Sequence, residues 1–185
     1  MRKKIFCIIL LLKNGARQGM KEITFITTGG TIEKTYNEHN GDLSNKQSIL
    51  NKILMTLRLP GLRISQRNVI FKDSLDMTDV DREIILDMTK QSMSNSDAII
   101  ILHGTDTLEE TGCLLYNEIK NPTCPVIFTG AMRPYEFRDS DASQNVTEAL
   151  LAATMVGPGV YVAMHNKVLA FPGVKKDRQK LTFVK

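Results

Sequence analysis

The chain has 185 residues, 42% of them hydrophobic and 24% charged, the balance of an ordinary globular domain with one sizeable core. It has no tryptophan and only 6% aromatic residues, which argues against a single-strand nucleic-acid binder built on stacking platforms. The net charge is +4, but residues 1–19 hold +5 and residues 175–185 hold +4, leaving a body at −5; basic ends on an acidic body read as solvated tails, not as a nucleic-acid face.

Residues 1–19 form an N-terminal extension with three readings: a misassigned start before Met20, a weak signal-like segment, or an extra element. The apolar run Ile5–Leu12 is too short to cross a membrane, and no A-x-A-like cleavage site follows it. No membrane association is expected.

From Met20 onward strands and helices alternate. Glu22–Thr28 is a β-branched run that ends at Gly29-Gly30. Residues 33–44 (EKTYNEHNGDLS) are polar and rich in turn formers, so a mobile loop is expected. In Asn45–Leu57 the spacing of Ile49, Ile53 and Leu57 predicts one helical face, closed by Pro60-Gly61. Gln66–Lys72 reads as a second strand. Thr78 with Asp81 predicts a capping box, followed by a buried stripe of Val80, Ile84, Ile85 and Met88.

Asp97–His103 is a nearly continuous apolar run, as expected of a strand buried on both faces. Thr107–Ile119 is helical, with Leu108, Leu115 and Ile119 among its apolar positions. Cys124–Thr129 is the next strand, and Asp139 or Asp141 caps a helix carrying Val146, Leu150 and Ala153. Val160–Met164 is the last clear strand, and Asn166-Lys167 turns the chain into VLAFP. The order predicts an α/β fold: one doubly wound, mostly parallel sheet with helices on both faces, over residues 20–185.

Cys7, Cys113 and Cys124 show no C-x-x-C or metal spacing, so reduced thiols and a cytoplasmic location are expected. His103 reads as a packed strand-end residue. His39 and His165 are isolated, so neither a metal nor a cofactor is expected.

In open parallel sheets, ligands bind beyond the carboxyl ends of the strands. Polar groups collect there in TTGGT (27–31), KDSLDM (72–77), HGTDT (103–107) and TGAMRP (129–134). The first block is neither a dinucleotide fingerprint nor a Walker A loop. It reads as a tight turn with a capping threonine, or as a turn that sets the Thr31 hydroxyl beside N–H donors for an oxyanion. In HGTDT, Asp106 or Thr107 reads as a helix cap; alternatively Thr105 supplies a hydroxyl and Asp106 holds a substrate ammonium or orients a lysine.

Taken together and in this order, TGGTI (28–32), DSLDM (73–77), HGTDTLEET (103–111) and TGAMRP (129–134) resemble the bacterial L-asparaginase family over about residues 21–176. The resemblance implies a nucleophilic threonine at Thr31, working with Tyr36 from the polar loop. It implies a second catalytic threonine at Thr105, an aspartate at Asp106 that holds the substrate's α-amino group, and a lysine at Lys176, with Lys175 as the alternative register. It also implies substrate contacts from Gly30, Asp73, Ser74, Thr105, Asp106 and the backbone carbonyl of Ala131. The activity implied is hydrolysis of the side-chain amide of L-asparagine to L-aspartate and ammonia. Alternatives are a glutaminase, an amidase serving an amidotransferase with the same site, or a non-catalytic amino-acid-binding module. A homo-oligomer, dimer or tetramer, is implied as well.

Two departures stand out. Longer members carry a second, smaller C-terminal domain that lends an acidic group to the partner subunit's site, and this chain resembles a short form without it. Leu75 also lies where many members carry a polar residue.

Overall fold

The computed structural model describes residues 20–39, 41–45 and 49–185. The three readings of residues 1–19, and Cys7 with them, lie outside these. Six strands make the central sheet, and the apolar runs legible in the sequence are its middle. In chain order the strands of the molecule are β1 (Lys21–Gly29), β2 (Lys34–Asn37), β3 (Asp42–Asn45), β4 (Leu62–Lys72), β5 (Ala98–Leu102), β6 (Pro125–Thr129), β7 (Gly159–Met164), β8 (Lys167–Ala170), β9 (Lys175–Asp177) and β10 (Thr182–Val184). The helices are α1 (Leu50–Leu54), α2 (Asp79–Ser92), α3 (Leu108–Glu118) and α4 (Ala142–Met155).

The sheet order is β4-β1-β5-β6-β7-β8, parallel except for β8, which pairs antiparallel with β7. Strands β5 and β6 are buried at every position, because helices cover both faces. Alternation along each strand divides the core. Ile99, Ile101, Val126 and Phe128 pack with Ile85 and Leu86 of α2 and with Leu108 and Leu115 of α3. Ile100, Leu102 and Ile127 pack on the other face with Leu50 and Ile53 of α1 and with Val146 and Ala149 of α4. Each such side chain contributes roughly 1.5–3 kcal/mol when fully buried. The doubly wound expectation and the parallel sheet therefore hold.

Three local expectations are corrected. Residues 33–44 are not a plain loop: a short 3-10 turn at Thr31–Glu33 leads into the antiparallel hairpin β2–β3, registered Lys34 to Asn45 through Asn37 to Asp42. The helix expected over Asn45–Leu57 is only α1, because Thr56 and Leu57 donate N–H bonds to Ile53 and Leu54 three residues back and tighten the end. The stripe on α2 is only half as expected: Ile85 is buried and Met88 packs against the core, but its other two positions face outward. Val80 is 64% exposed and Ile84 44%, while Asp81 and Arg82 turn inward. Both inner polar groups are paired: Asp81 accepts from Lys72, and Arg82 donates to Glu110 and Thr111.

The capping box at α2 is present in both directions, with Asp81 N–H donating to Thr78 Oγ1 and Thr78 N–H donating to Asp81 Oδ2. Thr78→Ala should lower stability by about 1 kcal/mol, read as a shift in urea midpoint without a change in slope.

Candidate active site

The helices that follow β1 and β5 leave toward opposite faces, α1 to one core cluster and α3 to the other. The two strands are neighbours, so a crevice opens between their carboxyl ends. TTGGT and HGTDT form its two lips.

The lips meet backbone to backbone. Gly30 has φ +83°, and a Cβ there would stand 2.5 Å from both the N and the Cα of Gly104. Only glycine allows this approach at a left-handed φ. Thr31 and Thr105 each follow one of these glycines, so the contact sets the two threonines on the two sides of one crevice. Gly30 N–H is fixed by the carbonyl of Lys72, and Glu33 N–H by the carbonyl of Gly30. Gly104 in turn lies against Ser74: a Cβ on it would meet Ser74 Cβ and Oγ at 2.6 Å. Ser74 Oγ is buried with no hydrogen-bond partner among the described residues. A buried hydroxyl left unpaired is costly and marks a position where a ligand oxygen would be welcome.

Lys176 enters from β9. Its side chain is 10% exposed, and its Nζ lies 2.8 Å from Thr105 Oγ1 and 3.0 Å from Asp106 Oδ1. Glu109 Oε2 accepts the Lys176 N–H at 2.9 Å and anchors the strand. Lys175 is exposed, so the strand alternation turns Lys176 and not Lys175 toward Thr105.

Asp106 Oδ1 also accepts from Arg178 at 2.9 Å. Asp73 accepts from Lys34 Nζ at 2.6 Å and from the N–H of Leu75. Burial would raise the Asp73 carboxyl, but those two hydrogen bonds and the Lys34 charge outweigh it and hold it below the usual carboxylate range. Leu75 itself is exposed.

Ala131 is buried in the turn after β6, where a Cβ on the preceding Gly130 would lie 3.4 Å from Thr105 Cγ2. Gly30, Thr31, Ser74, Thr105, Asp106, Ala131 and Lys176 are thus gathered at one edge of the sheet. Tyr36 is set apart from this group. It lies on β2 with its side chain 57% exposed, and its N–H donates to Glu136 in the segment between β6 and α4.

His103 is fully buried just past β5. Its Nδ1 donates to the Gly104 carbonyl at 2.8 Å, which leaves Nε2 to accept from Thr111 Oγ1 at 2.9 Å. Burial drives its pKa down to about 4, opposed by the Gly104 bond and assisted by the charge of Arg82. The unfolded chain therefore takes up this proton first as pH falls. Stability should decline as pH drops from 6.5 to about 4, and a His103→Gln variant should lose that part of the slope in urea midpoints measured across the window.

Sequence reasoning missed Lys34, Glu109 and Arg178. Arg178 had a signal: it lies two residues from Lys176, just past the end of β9. Lys34 and Glu109 had none, since their partners are remote in the chain. Among the described residues no group of three or more histidine, cysteine, aspartate or glutamate side chains is placed to hold a metal ion. A cavity of about 360 Å³ lined by Lys21, Gly61, Leu62 and Leu151 lies at the opposite, amino-terminal edge of the sheet, away from these residues.

Residues 22–181 match the family model described as Asparaginase, N-terminal. The L-asparaginase of Thermococcus kodakarensis is 32% identical over 84% of this chain and 47% of its own length, and its solved structure superposes with a TM-score of 0.78. L-asparaginase I from Vibrio cholerae is 27% identical over 90% of this chain and 51% of its own, with a TM-score of 0.75. One component of the glutamyl-tRNA(Gln) amidotransferase of Haloquadratum walsbyi is 28% identical over 80% of this chain and 34% of its own length. The chain spans about half the length of the curated L-asparaginases it matches and about a third of the amidotransferase component.

Proposed function

The chain belongs to the asparaginase family, and from that premise we propose that it hydrolyses the side-chain amide of L-asparagine to L-aspartate and ammonia, with Thr31 as nucleophile. The observation that carries this reading is Lys176 Nζ at 2.8 Å from Thr105 Oγ1, across the Gly30–Gly104 contact from Thr31.

A threonine hydroxyl is a weak nucleophile until a partner takes its proton. Lys176 is that partner through Thr105, or Tyr36 takes the proton directly once the β2–β3 hairpin folds over the crevice. Thr31 Oγ1 then bonds to the amide carbon, and the carbonyl oxygen gains the charge. Backbone N–H groups beside the two threonines receive that oxyanion. The C–N bond breaks, the nitrogen takes a proton from the Lys176–Thr105 relay, and ammonia leaves. Water attacks the resulting acyl-threonine while the relay takes its proton; the ester C–Oγ1 bond breaks and the relay returns that proton to Thr31 Oγ1, giving aspartate and free Thr31.

Asp106 holds the substrate ammonium through its second oxygen, since Oδ1 serves Lys176 and Arg178. Ser74 Oγ donates to the α-carboxylate, with Asp73 and Gly30 shaping that end and the Ala131 carbonyl meeting the amide nitrogen. These contacts read the free ends of an amino acid, which favours free asparagine over peptide amides.

The amidotransferase relative supports a second reading, an amidase that passes ammonia onward. Both are tested by measuring ammonia from L-asparagine and L-glutamine with the wild type and Thr31→Ala. Asparagine turnover that Thr31→Ala abolishes supports the hydrolase. Turnover of glutamine alone moves the assignment to the second reading, and a folded protein that releases ammonia from neither overturns both.

Among the described residues Cys113 and Cys124 are free thiols, and burial pushes both up, which favours the protonated form and supports a reducing, cytoplasmic setting. No described helix is long and apolar enough to cross a membrane. We place the chain in a homo-oligomer by analogy with the family, a claim that light scattering tests.

A further inference from the structure

We infer that His165 is a positioning residue that ties the strand carrying Lys176 to the turn carrying Ala131, and so sets the width of the crevice. The inference rests on the hydrolase reading for its kinetic consequence, and on geometry alone for its structural one.

The link begins at Asp141, at the start of α4. Its carboxylate accepts from the N–H of Met132 at 3.0 Å, the N–H of Arg133 at 3.1 Å, Asn145 Nδ2 at 2.7 Å and His165 Nε2 at 2.7 Å. Asn145 Nδ2 also donates to the Gly130 carbonyl at 2.9 Å, and Asn145 Oδ1 accepts the His165 N–H at 3.2 Å. Met132 and Arg133, after Ala131, therefore hang directly on this carboxylate, and Gly130, before it, hangs on Asn145, which the same carboxylate holds. Burial would raise that carboxyl, but the hydrogen bonds from Met132, His165, Arg133 and Asn145 outweigh it and keep it anionic.

The other ring nitrogen faces the opposite way. His165 Nδ1 lies 3.3 Å from Thr182 Oγ1 on β10. Thr182 pairs with Asp177, and the next pair in that ladder is Phe183 with Lys176. Lys167 Nζ reaches Thr182 Oγ1 at 3.5 Å and the Phe183 carbonyl at 3.2 Å. A carboxylate only accepts, so Nε2 carries a hydrogen, while Thr182 Oγ1 meets Nδ1 on one side and accepts from Lys167 on the other. His165 and its neighbour Asn166 hold left-handed φ values of +53° and +60° at the β7–β8 turn, which aims the ring between the two partners. The ring is thus a polar joint between the β9–β10 hairpin and the turn after β6, beside the apolar cluster that Phe183 and Met132 share.

A shift of about 1 Å between reacting groups can cost up to about a hundredfold in rate. His165→Asn, which tolerates the left-handed backbone but falls short of Asp141, and Thr182→Val, which removes the hydroxyl at constant shape, should each lower kcat for ammonia release from L-asparagine about 5- to 20-fold, with KM within about twofold. The double variant should be no worse than the worse single one, because both cut the same link. Thr182→Ser should restore kcat to within about twofold. In hydrogen–deuterium exchange the amides of Met132 and Arg133 should exchange at least about tenfold faster in His165→Asn than in wild type. A kcat within twofold of wild type in His165→Asn, a loss confined to KM, multiplying losses in the double variant, or unchanged exchange at residues 132–133 would each overturn the inference. If the wild type releases no ammonia, the hydrolase reading fails separately, and the exchange result alone decides the positioning role.

Discussion

Lys176→Ala is expected to lower ammonia release from L-asparagine by about a thousandfold while the protein stays folded. The lysine is shielded, with its Nζ on the Thr105 hydroxyl, and it is the candidate base for both halves of the reaction. A positioned proton-transfer group contributes typically about 10²- to 10⁴-fold. Lys176→Arg should not rescue, because a guanidinium is too basic to give up its proton and too wide for a point contact. Lys175→Ala should change the rate less than twofold, because that side chain faces solvent. Comparable losses in the two alanine variants would mean that this strand slides in register and that the assignment of the base is wrong. Core packing does not rest on Lys176, so thermal melting should separate a catalytic defect from a folding one.

The second large effect is at Gly30. An added Cβ would meet the Gly104 backbone at 2.5 Å, well inside any real contact, and neither lip has a flexible side chain to give way. Gly30→Ala should cost about 3 kcal/mol or more and remove activity, because separating the lips separates Thr31 from Thr105. Gly61→Ala isolates the conformational part. Gly61 has φ +77° and nothing within 4 Å of an added Cβ, so it should lose only about 1–2 kcal/mol and keep full activity. The difference between the two urea midpoints measures the lip contact itself. Equal losses would mean that the backbone conformation, not the close approach, explains the glycine.

The sheet was legible because its strands are uninterrupted apolar runs bounded by turn residues. β5 reads AIIIL and β6 reads PVIFT, and nothing but a doubly covered sheet accommodates both. The β2–β3 hairpin was not legible: it is polar and packs no apolar face that would leave an alternation. Of the α2 stripe, Ile85 and Met88 face the core as expected, and Val80 and Ile84 do not for an electrostatic reason. Arg82 and Asp81 take the inner face because Glu110, Thr111 and Lys72 await them there. No local pattern announces partners 28 or 29 residues away.

The crevice was legible as four strand-end motifs, but its closure was not. What brings the lips together is a glycine facing a glycine, and a missing side chain leaves no periodic trace. Lys176 emerged from family resemblance and not from spacing, since VKKDRQK alone reads as a solvated tail. Its strand is short, and only the β9–β10 pairing turns one lysine of two toward the site.

The most direct test of the central claim is to quench the protein during turnover of L-asparagine and map its peptides by mass. An aspartyl ester on the peptide containing Thr31, absent in Thr31→Ala, is the expected result. Ammonia release with an ester on Thr105, or with no ester on any peptide, would contradict Thr31 as the nucleophile.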